Sequence, residues 1–311
     1  MMHLGDKTHS IRDFGLVLMP DEAQEPILSR VVRSALVEWL EEIWLEDELK
    51  AVKLAPRKRA LVSGPPGVGK TTLAHHLAAR LGLPMLAVRS DRIISQWVGA
   101  NTRNMGDLFE AVEAQKQPVL LFLDEFDSIA VKRRTVTGGA GEHDNIAMVN
   151  VLLQRMDQHS GFIFAATNNP KEIDEAVWRR FEIQIELGLP GQDEIVRILR
   201  RYLAPFQVPA DALQKLATGF SDATPALIRQ FCEALKRQMV VGPKVGWSME
   251  KSIVIDRILN AVQPHPELAK PSLWLAKGRH PCVKSLPWPM ALGRDVGDLA
   301  DDETSTPARA A

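Results

Sequence analysis

The hydrophobic positions fall into short, nearly continuous apolar runs separated by longer amphipathic ones. Ala60-Leu61-Val62, Leu83 to Val88, Pro118 to Leu123 and Phe162 to Ala166 are apolar throughout, and Ile183 to Leu187 gives a fifth run. A continuous apolar run is what a strand buried on both faces of a parallel sheet shows. Leu73 to Arg80, residues 101–115 and about 144–158 read as helices between those strands. Strands alternating with helices over 60–190 predict an α/β fold, a parallel sheet with helices on both faces. Upstream, Ile27, Val31, Leu36, Trp39, Leu40 and Ile43 form a stripe at helical spacing, and residues 1–25 read as a polar lead-in.

The pattern changes at Gly188-Leu189-Pro190-Gly191, after which only helical periodicity continues to about residue 262. Thr224 reads as an N-cap with Pro225 at the first helical position, and Ser248 as the cap of a later helix. Past Pro264 the chain is Pro-rich, with Trp274 and Leu286-Pro287-Trp288-Pro289-Met290; residues from about 294 are expected to be disordered. The predicted organisation is a lead-in and helix (1–59), an α/β domain (60–190), a small all-α domain (191–263) and a C-terminal extension (264–311). For the Trp residues of that extension, covering an apolar face of the helical domain and docking a partner stand as equal readings.

Composition narrows the class without naming it. A formal charge of −1 over 311 residues gives no broad electrostatic footprint for nucleic acid. Two cysteines, Cys232 and Cys282, are too few for a disulfide framework. The sequence carries no signal-peptide pattern and no apolar stretch of membrane-spanning length, so the expected setting is cytoplasmic, away from membranes.

The chemistry centres on Gly64-Pro65-Pro66-Gly67-Val68-Gly69-Lys70-Thr71-Thr72, which stands between a predicted strand and a predicted helix. In a G-x-x-x-x-G-K-T loop the glycines let successive N–H groups face a triphosphate, the Lys reaches the outer phosphates and the Thr hydroxyl holds Mg²⁺. The helix that follows turns the positive end of its dipole toward the same anion. ATP and Mg²⁺ are therefore the expected cofactors. Asp124 closes a buried strand and is placed to hold Mg²⁺; Glu125 beside it is the candidate general base for attacking water. Asn168, at the end of the fourth run, is a candidate for contacting the γ-phosphate or that water.

With these residues in place, the stretch from Ala60 to Cys232 resembles the AAA ATPases of the wider AAA+ group. Gly64 to Thr71 is similar to the family's Walker A, with Val68 where Thr is usual. Leu121 to Ala130 resembles Walker B, and Ala165-Ala166-Thr167-Asn168 resembles the sensor-1 strand. Ile173 to Phe181 resembles the second region of homology, which implies that Arg179 and Arg180 are arginine fingers reaching a neighbouring subunit's nucleotide. Ser95-Gln96-Trp97-Val98-Gly99 resembles the first pore loop of protein-remodelling members, which implies that Trp97, Val98 and Gly99 grip polypeptide; Lys132 to Asp144 falls at the second pore loop or a plain linker. Phe14-Gly15-Leu16 falls where the family contacts adenine. Asp222 replaces the Gly of the family's lid motif, and Ala226 stands at the sensor-2 position, with Arg229 one turn on as a substitute.

The resemblance implies an ATP-hydrolysing remodeller acting on protein substrates as a homo-oligomeric ring, expected to be a hexamer. A DNA-transaction ATPase is the second reading, disfavoured by the near-neutral charge. The third is a nucleotide-dependent switch that recruits an effector or adaptor protein, such as a protease encoded elsewhere. No His-Glu-x-x-His metalloprotease motif occurs in these residues.

Overall fold

A computed structural model describes residues 9–95, 99–132 and 140–293, the side chains of 140–145 excepted. The chain divides into two compact units, residues 1–188 and 189–311. The expectations for Trp97, Val98, most of the second loop and the tail beyond 293 fall outside the described residues.

The first unit is built on six strands, β1 (Gly15–Leu18), β2 (Arg59–Ser63), β3 (Met85–Val88), β4 (Leu120–Leu123), β5 (Ile163–Thr167) and β6 (Ile183–Glu186). Their order across the sheet is β1-β3-β4-β5-β2-β6. All pairings are parallel except β1, which runs antiparallel to β3 with Gly15 opposite Val88. The helices of this unit are α1 (Arg30–Trp44), α2 (Glu46–Ala51), α3 (Lys70–Arg80), α4 (Ser90–Ile93), α5 (Ala100–Glu113), α6 (Phe126–Ile129), α7 (Ala140–Gln158) and α8 (Glu175–Trp178).

Side chains alternate across a strand, so the continuous apolar runs divide between two cores. Leu61, Leu86, Leu121, Leu123 and Ala165 pack with Leu108 and Phe109 of α5 and Leu152 and Met156 of α7. Ala60, Val62, Phe122, Phe164 and Ala166 take the other face, against Trp39 and Leu40 of α1 and Leu73 and Leu77 of α3. Trp39 Nε1 also donates to the Arg57 carbonyl at 2.8 Å, and Glu42 pairs with the Arg57 guanidinium, fixing α1 to the entry of β2.

Three local expectations change. Residues 1–25 are more than a lead-in, because Gly15–Leu18 completes the sheet and Phe14 is buried in the core against His9. The strand expected from Leu83 begins at Met85, since Leu83 N–H turns back to close the preceding helix on the Ala78 carbonyl. The helix expected from about 144 begins at Ala140.

The second unit is helical: α9 (Gln192–Leu203), α10 (Ala210–Thr218), α11 (Pro225–Val241), α12 (Lys251–Ala261), α13 (Ser272–Ala276) and α14 (Pro281–Lys284). Thr224 Oγ1 accepts from the Leu227 N–H, with Pro225 opening α11. Ser248 does not cap α12: that place is taken by Glu250, whose N–H donates to Ser248 Oγ. Arg229 pairs along its own helix with Glu233.

Residues 264–293 cover the apolar side of these helices. Trp274 is 7% exposed, edge-on to Phe220 and Phe231, with Nε1 donating to the Val262 carbonyl at 2.7 Å. Lys251 Nζ donates to the carbonyls of Val283, Lys284 and Leu286, and Trp288 Nε1 to that of Met249. Trp274→Ala leaves a cavity and an unpaired carbonyl, so we expect a loss of about 3–5 kcal/mol, read as a lower midpoint of urea unfolding followed by circular dichroism. A midpoint unchanged from the parent protein would mean that the segment only drapes over the surface.

Candidate functional site

The site forms where β2, β4 and β5 end, the edge at which ligands gather in open α/β sheets. β2 runs into Gly64, whose φ of 151° and close approach to the Leu187 carbonyl, 2.2 Å from where a Cβ would lie, admit only glycine. Gly67 and Gly69 also hold positive φ, curling the loop until Lys70 opens α3. Val68 is buried among the residues of the α1 and α3 face, so this loop position serves packing as well as backbone shape.

Lys70 is 8% exposed. Its ammonium has three protons and meets three acceptors: the Gly64 carbonyl at 2.7 Å, the Pro65 carbonyl at 3.0 Å and Asn168 Oδ1 at 2.5 Å. Burial pushes its pKa down, and the charges of Asp124 and Asp127 act in the opposite direction. Thr71, second residue of α3, donates from Oγ1 to Asp124 Oδ2 at 3.1 Å. Residues from three strand ends thus converge: Lys70 and Thr71 after β2, Asp124 after β4, Asn168 after β5. Pro65, Pro66 and Thr72 belong to the same loop and helix start.

Glu125 has φ 48°, a left-handed conformation rarely taken outside glycine. It is the N-cap position of α6, with its N–H donating to Asp124 Oδ1 at 2.9 Å, and its exposed carboxylate accepts from Ser90 Oγ at 3.3 Å. A strained residue held beside a phosphate-binding loop points to function rather than accident.

The two arginines follow α8 directly and differ from each other in their partners. Arg180 is clamped to Asp157, with Nε and Nη2 each 3.0 Å from a carboxylate oxygen. Arg179, the C-cap of α8, has a side chain 75% exposed and makes a 3.7 Å ion pair with Glu175 at the start of that helix. Gly99, at φ 78°, opens α5. The foot of the preceding loop is anchored by Ser95 N–H to Asn101 Oδ1 and by Asn104 Nδ2 to the Ile93 carbonyl.

Three side chains of the site were not singled out from sequence: Ser90, Asp127 and Thr167. Thr167 donates to Asp127 Oδ1 at 2.7 Å across 40 residues of chain. No spacing rule connects such a pair, and only the parallel pairing of β4 with β5 brings the two ends together.

The chain is similar to known proteins. Residues 60–189 match the family described as ATPase family associated with various cellular activities (AAA). An uncharacterized AAA family ATPase of Sinorhizobium fredii, y4kL, is 36% identical over 69% of this chain and 64% of its own length. A protein of Methanothermobacter marburgensis described as a 26S proteasome regulatory subunit homolog is 37% identical over 57% of this chain and 49% of its own. The chain thus spans 64% and 49% of the length of these two relatives. The ATP-dependent zinc metalloprotease FtsH of Acidothermus cellulolyticus is 32% identical over 62% of this chain and 30% of its own. Among solved structures, the FIGL-1 AAA domain in complex with ADP superposes with a TM-score of 0.62 at 21% identity, covering 82% of this chain and 88% of that one. Among the described residues no helix is long and apolar enough to cross a membrane. A phosphate loop with its lysine triply held and an acidic strand end beside its threonine, within the stretch 60–189 that matches the family model, make this part of the chain an ATPase domain similar to those of the AAA family.

Proposed function

We propose that the chain is an ATP-driven protein remodeller that works as a homo-oligomeric ring, with hydrolysis completed by an arginine from the next subunit. The hydrolytic half is carried by one observation, the meeting of Lys70, Thr71, Asp124 and Asn168 within hydrogen-bond reach at one sheet edge. Thr71 Oγ1 and Asp124 Oδ2 are hard oxygen donors side by side, a set that suits Mg²⁺ bound through few protein ligands and substrate phosphates. That ion would supply charge neutralisation at the outer phosphates. Lys70 takes phosphate oxygens in place of its present acceptors, Asn168 orients the attacking water or the γ-phosphate, and Glu125 takes the water's proton. Arg179 is the better finger of the two arginines, because Arg180 is already committed to Asp157.

Protein as the substrate is supported by the proteasome-regulatory and FtsH relatives, and by the resemblance of Trp97-Val98-Gly99 to a polypeptide-gripping loop. The test uses an unfolded probe, casein, with ATPase measured in its presence and absence. The parent protein is expected to hydrolyse ATP faster with casein, and Trp97→Ala to bring the ratio back to one. Equal stimulation of both proteins by casein would remove the gripping role. Stimulation by DNA instead, fading as salt rises, would move the reading to nucleic acid.

A further inference from the structure

We infer that Thr167 and Asp127 form an internal clamp that sets the position of Asn168 against the phosphate loop, making both of them positioning residues for hydrolysis. This deepens the proposed function and rests on its reading of Asn168 as the group that faces the outer phosphate or the attacking water.

Thr167 is the last residue of β5 and is completely buried. The sheet does not need its hydroxyl. Phe164, Ala165 and Ala166 fill the neighbouring buried positions of the same strand with apolar side chains, and a buried hydroxyl without a partner is unfavourable. Here the hydroxyl is used twice. Oγ1 donates to Asp127 Oδ1 at 2.7 Å and accepts the N–H of Asn169 at 3.0 Å. The carbonyl of the same residue accepts the N–H of Gly64, first residue of the phosphate loop, at 3.3 Å.

Those contacts join three strand ends at one residue. Asp127 sits in the first turn of α6, two residues after Glu125, so the hydroxyl ties β5 to the turn that aims the candidate base. The carbonyl ties β5 to the loop after β2. The bond to Asn169 turns the chain just beyond Asn168, bracketing the residue whose Oδ1 meets Lys70 Nζ at 2.5 Å. Asp127 also places a negative charge near Lys70. The bonds of the clamp run between its two residues, to the Asn169 N–H and to the Gly64 N–H. Their effect passes through Asn168, Glu125 and Gly64.

Steady-state ATPase kinetics and equilibrium binding of a fluorescent ATP analogue test this on the full chain. Thr167→Val keeps the shape and removes the hydroxyl; it is expected to lower kcat about 10- to 100-fold, with analogue affinity held within about 3-fold. Thr167→Ser restores the hydroxyl and is expected to return kcat to within about 3-fold of the parent. Asp127→Ala should match Thr167→Val, and the double variant should lose no more than either single one, because both break the same link. Full kcat in Thr167→Val, equal losses in the Ser and Val variants, or losses that multiply in the double variant would each overturn the clamp. If Thr167→Val fails to show the parent's circular dichroism spectrum, the Ser and Asp127→Ala comparison decides alone: a loss confined to Asp127→Ala supports the clamp, and parent-like kcat in it overturns the clamp. Asn168→Ala is measured beside them. If it turns over like the parent, the role given to Asn168 fails, independently of whether Thr167 and Asp127 are coupled.

Discussion

Replacing Glu125 by Gln is expected to stop hydrolysis while leaving ATP bound. The backbone at this position is held at φ 48° by the start of α6 and by the bond from its own N–H to Asp124, so the side chain's direction does not depend on its charge. The amide of Gln still offers an oxygen to the Ser90 hydroxyl that now contacts the Glu125 carboxylate. What it cannot do is accept a proton from water. General-base catalysis of this kind contributes about 10²- to 10⁴-fold, and that is the loss expected in phosphate release. Binding of a fluorescent ATP analogue should persist, since Lys70, Thr71 and the loop are untouched. A variant that releases phosphate as fast as the parent would move the base elsewhere and leave Glu125 as a helix-capping residue.

The α/β architecture was legible because four of the strands are buried on both faces, and that condition writes itself as unbroken apolar runs. Gly15–Leu18 lacked the signal. It is a four-residue edge strand beginning with glycine, Leu16 is 64% exposed, and its partner Met85–Val88 lies far along the chain. None of its four residues is fully buried, so neither an apolar run of core residues nor a buried/exposed alternation announces it.

In the site, local motifs carried Lys70, Thr71, Asp124 and Asn168 to one place, as each ends a strand or begins a helix on the same sheet edge. The bonds that orient these groups were invisible. Ser90 to Glu125 and Thr167 to Asp127 join residues from different strands, 35 and 40 positions apart. Nor could the sequence separate two adjacent arginines. Only the fold brings Asp157, near the end of α7, up to Arg180 and leaves Arg179 extended.

That difference yields the second large effect. Arg179→Ala is expected to lower turnover by about 10³-fold or more, the range seen when an arginine completes a phosphoryl-transfer site. Arg180→Ala breaks a pair whose side chains are 36% and 48% exposed, a change of about 0.2–1 kcal/mol in stability, and should be the milder variant. The segment leading into α8, the helix that Arg179 caps, is itself tied to the end of α6. Asp174 N–H donates to the Ala130 carbonyl, Val131 bridges Ile173, and Lys132 N–H donates to the Glu172 carbonyl. A finger serving a neighbour would then hang from the element that begins at Glu125 of its own subunit. Mixing two inactive proteins separates action across a seam from action within one chain. An Arg179→Ala chain keeps an intact Glu125, and a Glu125→Gln chain keeps an intact Arg179. Where the first receives the arginine of the second, a complete site reappears, so the mixture is expected to regain ATPase activity that neither protein has alone. Mixed assemblies that sediment together with ATP and yet stay inactive would place the arginine's action within a single chain.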